Sequence, residues 1–200
     1  CVIIPIASKL AALAERHGIR YAGPGAAPPE HWRCSRLVPH NHPTCLIPSV
    51  VELGEDASVW PAAVLRGDLL PIRIGARTSI QDGSIVHTSH DGPFTPGGSA
   101  TTVGQDVTIG HSVTLHGCTI HDRVLLGIGS IILDGVVIES DVMIGAGSLV
   151  TPGKTLASGF LYVGSPCQAA RPLTDEERGY FTYTAGYYVG LKDQHLAQTS

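Results

Sequence analysis

Residues 120–156 read IHDRVLLGIGSIILDGVVIESDVMIGAGSLVTPGKTL, and an aliphatic residue returns at every sixth place: Ile120, Leu126, Ile132, Ile138, Ile144, Val150 and Leu156. An amphipathic helix would space its apolar residues three and four apart, and a hairpin strand would alternate in twos. A strict six does neither over this length. It describes a short strand followed by a corner, with three such steps closing one triangular coil of roughly eighteen residues. Each inward aliphatic residue then stacks on its equivalent one coil later, and every coil covers the apolar layer of the one before it.

The rhythm extends backwards through Leu115, Ile109 and Val103, then Val86, Ile80 and Ile74, then Leu65, Val59, Leu53 and Ile47. Gly54, Gly75, Gly104, Gly110 and Gly145 follow inward positions, where the expectation is a backbone that bends tightly. The fold class expected is mainly β, a parallel β-helix of about five or six coils. Handedness does not follow from spacing, since parallel crossovers are nearly always right-handed. Function does not follow either, because one scaffold hosts unrelated chemistries.

Composition narrows the field. Of the 200 residues 43% are hydrophobic and 15% charged, enough for a large core and consistent with a surface partly covered by another subunit. A net charge of −4 and a pI near 6.2 argue against a nucleic-acid partner, whose phosphates demand a basic face. No run is long enough to span a membrane. The apolar Cys1–Ile6 precedes its first positive charge, Lys9, which is the wrong order for a secretory signal. Five cysteines without a CxxC pair suggest free thiols in a reducing compartment, so the expected location is cytoplasmic.

Three interruptions of the six mark the places to look for function. The step from Leu65 to Ile74 is long and contains Arg66-Gly67-Asp68. A loop, Thr88–Thr102, separates Val86 from Val103, and the step from Leu115 to Ile120 shrinks to five. His87 and His116 each directly follow an inward position, so they share a phase and an outer edge on neighbouring coils. His111 has a different phase and should not face the same ion within one subunit, although a neighbouring subunit could supply it. Three imidazoles with an open position make a catalytic zinc site. Ten histidines in the chain leave ordinary surface histidines as the competing explanation.

The residues around these histidines carry a resemblance. Val51–Ser58, Arg66-Gly67-Asp68, Ile72-Arg73-Ile74-Gly75, Ile80-Gln81-Asp82-Gly83 and His87 run in the order found in γ-class carbonic anhydrases. So do Ile109-Gly110-His111 and Leu115-His116-Gly117-Cys118-Thr119-Ile120. Over roughly residues 46–196 the chain resembles the bacterial subgroup of that family. The resemblance implies a left-handed β-helix and a homotrimer. It also implies a zinc ion (iron or cobalt can replace it) held by His87, His111 and His116, with His111 from the adjacent subunit. Arg66 and Asp68 would form a salt bridge across the subunit interface, Gln81 would orient the metal-bound hydroxide, and Asp82 would fix Arg66. The implied activity is the reversible hydration of carbon dioxide to bicarbonate.

The chain departs from the family pattern in four places: Ser79 stands where an Asn is usual, Leu69 where the archaeal archetype has Glu, and Tyr187 where the tail normally has Asn. The Thr88–Thr102 loop offers only His90 and Asp91 for proton transfer. Two other functions therefore stay open: a hexapeptide acyltransferase or acyl-CoA thioesterase-like protein, and a catalytically weak structural metalloprotein.

The ends complete the expected layout: a divergent segment over 1–45, the β-helix over 46–170, and a C-terminal helix over 171–200 packing on it. Thr174 and Glu177 spell a capping box, and Phe181, Ala185, Tyr188 and Lys192 form one stripe. Gly179, Gly186 and Gly190 weaken that helix in isolation, so docking must hold it. At the other end, Ser8–His17 suggests a short helix, Pro24–Pro48 has no rhythm, and His40 and His42 are not expected to be ligands.

Overall fold

A computed structural model describes residues 49–199. The expectations for residues 1–45, the inward place of Ile47, the helix at Ser8–His17 and the roles of His40 and His42 all lie outside the described residues. The chain winds over three parallel β faces. The first carries β2 (Ser58–Val59), β4 (Ser79–Ile80), β7 (Thr108–Ile109), β10 (Val124–Leu126), β13 (Val142–Ile144) and β16 (Phe160–Gly164), in that order. The second carries the start of β3 (Val64–Ile74), then β5 (Ile85–His87), β8 (Thr114–His116), β11 (Ile131–Ile132) and β14 (Leu149–Val150). The third stacks β1 (Ser49–Leu53), the end of β3, β6 (Thr101–Val103), β9 (Thr119–Ile120), β12 (Val137–Ile138) and β15 (Thr155–Leu156). Together they make the left-handed parallel β-helix of hexapeptide repeats.

The register shows why a period of six folds this way. Val59, Ile80, Ile109, Leu126, Ile144 and Tyr162 pair down the first face, and Leu65, Val86, Leu115, Ile132 and Val150 down the second. Leu53, Ile74, Val103, Ile120, Ile138 and Leu156 pair down the third. All are buried, so the three columns are the core. A second inward layer lies two residues earlier in each step, filled by smaller side chains such as Ala57, Ala63, Ser84, Val107, Val113, Cys118 and Ser148. Two of its hydroxyls bond to the next coil: Ser84 donates to the Gly110 carbonyl at 2.9 Å and Thr78 to that of Gly104 at 2.8 Å. Burial pushes the Cys118 thiol up to about 12, so it stays protonated in this layer.

One expectation is corrected. Gly54, Gly75, Gly104, Gly110 and Gly145 are absent from the left-handed positions of the backbone. Positive φ falls instead three residues before the inward aliphatic, at Asp56, Ala62, Arg77, Asp106, Ser112, Arg123 and Asp141 among others. The glycines are needed because the next coil lies against them. A Cβ on Gly54 would stand 2.6 Å from the Ala76 nitrogen, and one on Gly110 2.7 Å from the Leu126 carbonyl oxygen. The middle glycine of Arg66-Gly67-Asp68 has the same cause, since its Cβ would meet the Val50 carbonyl oxygen at 2.7 Å.

The far end is closed by a hairpin that the hexad does not announce: β17 (Cys167–Pro172) pairs antiparallel with β16. Helix α1 (Asp175–Thr199) follows. Its expected capping box forms, with the Thr174 amide donating to Glu177 at 2.9 Å and the Glu177 amide to the Thr174 hydroxyl at 3.2 Å. The expected stripe is the docked one: Phe181, Ala185 and Lys192 are buried, and Tyr188 packs edge-on to Trp60. Thr108 and Thr184 join β7 to the helix at 3.1 Å, and the buried Lys192 ammonium donates to Asp56 at 2.9 Å. Among the described residues no helix is long and apolar enough to cross a membrane.

Candidate metal centre

The second face aims the first two histidines. Val86 and Leu115 point inward on β5 and β8, so the residues after them, His87 and His116, turn outward at the corner and stand in register. Arg66 occupies the same column one coil earlier, paired with His87. His87 Nδ1 lies 3.1 Å from His116 Nε2, and the ring centroids are 5.1 Å apart. The shared phase legible in the sequence thus becomes a direct contact.

Carboxylates fix the outer nitrogens of both rings. His87 Nε2 meets Asp68 Oδ1 at 3.1 Å, and His116 Nδ1 meets both oxygens of Asp134 at 3.0 and 3.1 Å. An ionised carboxylate can only accept, so those nitrogens carry the hydrogens. The lone pairs then sit on His87 Nδ1 and His116 Nε2, the two atoms that face each other. Arg66 donates to His87 Nδ1 at 3.2 Å and to Asp68 at 2.6 Å. Burial alone would raise the Asp68 carboxyl, but the hydrogen bonds from Arg66 and His87 and the guanidinium charge outweigh it and hold it below the usual carboxylate range.

This donor set fits a zinc ion. A tetrahedral site with bonds of about 2.0–2.1 Å separates adjacent nitrogens by roughly 3.3 Å, close to the observed 3.1 Å. Each ring also has the carboxylate partner that metal-bound histidines commonly use. Two converging lone pairs repel each other, and a cation between them removes that repulsion.

His111 is elsewhere. It sits on the corner after β7, where its Nδ1 meets Asp82 Oδ2 at 3.1 Å, and its ring is half exposed. With Gln81, Leu125, Ile128 and Tyr188 it lines a cleft of about 240 Å³ against α1. Among the described residues no three His, Cys, Asp or Glu side chains of one chain form a metal-sized cluster.

The other expected residues have these partners within one chain. Arg66 and Asp68 pair with each other at 2.6 Å. Asp82 pairs with His111 and not with Arg66, and Gln81 shares the cleft of His111 and not the corner of His87. The adjacent phases explain this, because Gln81 and Asp82 follow Ile80 on the first face as Gly110 and His111 follow Ile109. Ser79 is buried and accepts from Trp60 Nε1 at 3.0 Å. Asp91 accepts from the Gly97 amide at 2.7 Å and braces its own loop. Tyr187 is exposed and stacks on Tyr183. Asp134 was not among the expected residues. Its signal was its place two residues after Ile132, at the corner one coil beyond His116.

Residues 117–152 match the family described as bacterial transferase hexapeptide (six repeats). The chain is 55% identical over 148 residues to "Protein YrdA" of Escherichia coli, covering 74% of this chain and 80% of that protein. It is 38% identical to "Carbonic anhydrase" of Geobacillus kaustophilus, covering 74% and 81%. With "Gamma carbonic anhydrase 2, mitochondrial" of Arabidopsis thaliana it shares 39%, covering 79% of this chain and 56% of that protein. Among solved structures it is similar to a hexapeptide transferase family protein from Anaplasma phagocytophilum, with 38% identity, a TM-score of 0.67, and 76% and 90% of the two chains covered. With the six-residue coil, the paired histidines and relatives of this identity in view, the chain belongs to the γ-class carbonic anhydrase family of left-handed hexapeptide β-helices.

Proposed function

We propose that the chain is a metal-dependent γ-type carbonic anhydrase that interconverts carbon dioxide and bicarbonate at the subunit interfaces of a homotrimer. The observation that carries this is the approach of His87 Nδ1 to His116 Nε2, 3.1 Å apart, with a carboxylate against the other nitrogen of each ring. Among the described residues that pair lacks a third ligand, whereas His111 projects from another corner beside Gln81. The reading therefore takes His87 and His116 from one subunit and His111 from its neighbour.

His87, His116 and the neighbour's His111 would hold zinc, with iron or cobalt as substitutes, and the bound metal would supply Lewis acidity that ionises water near neutral pH. The chain does the rest. Asp68 and Asp134 hold the imidazoles so that their lone pairs face the site. Arg66 keeps Asp68 ionised and in place. Gln81, buried beside His111, offers an amide that both donates and accepts and so orients the attacking oxygen. Leu125 and Ile128 give the cleft an apolar wall suited to carbon dioxide. With Leu69 in place of an acid and Asp91 engaged in its loop, proton export is the slow step.

Acyl transfer is the second reading, favoured by the description of the similar Anaplasma structure. Stopped-flow hydration of carbon dioxide by zinc-loaded protein tests the first. Hydration is expected to disappear in His111→Ala and in His87→Ala, and to return in part when the two variants are unfolded and refolded together. Refolding would form interfaces with one intact ligand set. A zinc-loaded protein without hydration would overturn the enzyme reading and leave a structural metalloprotein. Turnover of acetyl-CoA would favour the transferase.

A further inference from the structure

We infer that Asp134 is a positioning residue that fixes which nitrogen of His116 is free to bind a metal. The consequence for metal binding rests on the function proposed above, but the geometry stands without it. Both Asp134 oxygens lie at hydrogen-bond distance from His116 Nδ1, at 3.0 and 3.1 Å. Ser89 donates to Oδ1 of the carboxylate, and the backbone that carries it is fixed on both sides: the Asp134 carbonyl accepts from the Gly153 amide at 2.9 Å, and the Gly135 amide donates to the Gly117 carbonyl at 2.7 Å. Gly117, at φ 56°, leaves the space that the carboxylate occupies, since a Cβ there would collide with Oδ1.

A carboxylate has no hydrogen to give, so His116 must keep its hydrogen on Nδ1 and leave Nε2 bare. Nε2 is the atom that faces His87. An imidazole without such a partner populates both tautomers, and in one of them Nε2 is blocked. Ser89 extends the device to the loop. Its backbone pairs with Ser99 at 2.9 and 3.0 Å, and Ser99 donates to the Gly117 carbonyl at 2.7 Å. The stem of the loop between β5 and β6 is thereby tied to the residue that orients His116.

The test uses the metal-free, ¹⁵N-labelled full chain, with the ring nitrogens of His116 read by long-range ¹H–¹⁵N correlation. The native protein should show the Nδ1–H form. Asp134→Ala should show the Nε2–H form or a mixture, while Asp134→Asn keeps a carbonyl acceptor and should retain Nδ1–H. Competition with a chelator should then give zinc binding weaker by about 10–100-fold in Asp134→Ala, with Asp134→Asn between it and the native protein. A His116 tautomer identical in the native protein and Asp134→Ala, or an Nε2–H form in the native protein, would overturn the inference. If native protein binds no zinc yet the tautomer changes in Asp134→Ala, the proposed function falls and the positioning role stands.

Discussion

Two corners of the same coil use their outward residues in opposite ways. Between the third face and the first, the corner position is taken in turn by Asp56, Arg77, Asp106, Arg123 and Asp141, all at φ between 53° and 59°. Their charges alternate and consume one another. Arg77 holds Asp106 through two bonds of 2.7 Å, and Arg123 holds Asp141 at 2.7 and 2.9 Å. Between the second face and the third, the column is Arg66, His87 and His116, and here the partners leave two lone pairs facing each other. The first corner keeps its period throughout. The second contains all three interruptions: the 11-residue β3, the loop after β5, and the five-residue step after Leu115. That short step drops the corner position which His111 fills in its own step. The regular repeat brings opposite charges into register, and their pairing is complete. The broken repeat brings two imidazoles together, and their nitrogens are what a ligand can use.

The largest effect should come from testing that contrast directly. His87→Ala removes one of the two lone pairs, and zinc retained after dialysis should fall to near zero by metal analysis. Arg77→Ala removes a full charge from the regular corner and should leave the zinc content unchanged. Equal loss in both variants would mean that metal uptake follows general integrity of the coil and not the broken corner.

A sizeable effect on stability is expected at Gly75, where a Cβ would run into the backbone carbonyl of Gly104 in the next coil. Backbone atoms cannot step aside as a side chain can, so Gly75→Ala should cost about 3 kcal/mol in chemical denaturation. Gly129 is the control. It sits at φ 69° with nothing within 4 Å of its would-be Cβ. Gly129→Ala should cost only the conformational penalty, about 1–2 kcal/mol. The reverse order would restore the view that the glycines after inward residues serve bending.

That view came from the sequence and shows what a repeat makes legible. The inward column is unmistakable, because Leu65, Ile80, Ile109 and their equivalents are all large and aliphatic. The layer two residues earlier is not, because Ala63, Ser84, Thr101, Cys118 and Val136 share size and burial but no chemical class. Left-handed corners were hidden for a similar reason, since Asp, Arg, Ala, Ser and Gly all occupy them. At the site, phase alone joined His87 to His116 and set His111 apart. Within one chain Asp82 pairs with His111 and Arg66 with Asp68, whereas the roles assigned to them concern contacts between subunits, which a motif read along one chain does not trace. Asp134 was overlooked because it lies in a perfectly regular step and becomes meaningful only once His116 is placed one coil before it.

The smallest effect belongs to the ladder of charges. Hydrogen bonds from Arg123 hold the Asp141 carboxyl below its ordinary 3.8, against a lesser opposing effect of burial. Because the folded value is the lower one, the pair's contribution is fully present above pH 3.8 and is lost as the pH falls through the folded value. Both side chains are partly solvated, so Arg123→Ala should cost about 0.5–1 kcal/mol near neutrality. Alanine itself tolerates this backbone, as Ala62 at φ 59° shows, so the loss reports the charges and not the corner. In urea titrations the difference from the native protein should be flat down to about pH 4, shrink in stronger acid, and diminish in high salt. A difference that stays constant into strong acid would mean that Arg123 stabilises the coil through the packing of its aliphatic stem. The alternation of Asp and Arg along this corner would then be a consequence of solubility and not a means of holding successive coils in register.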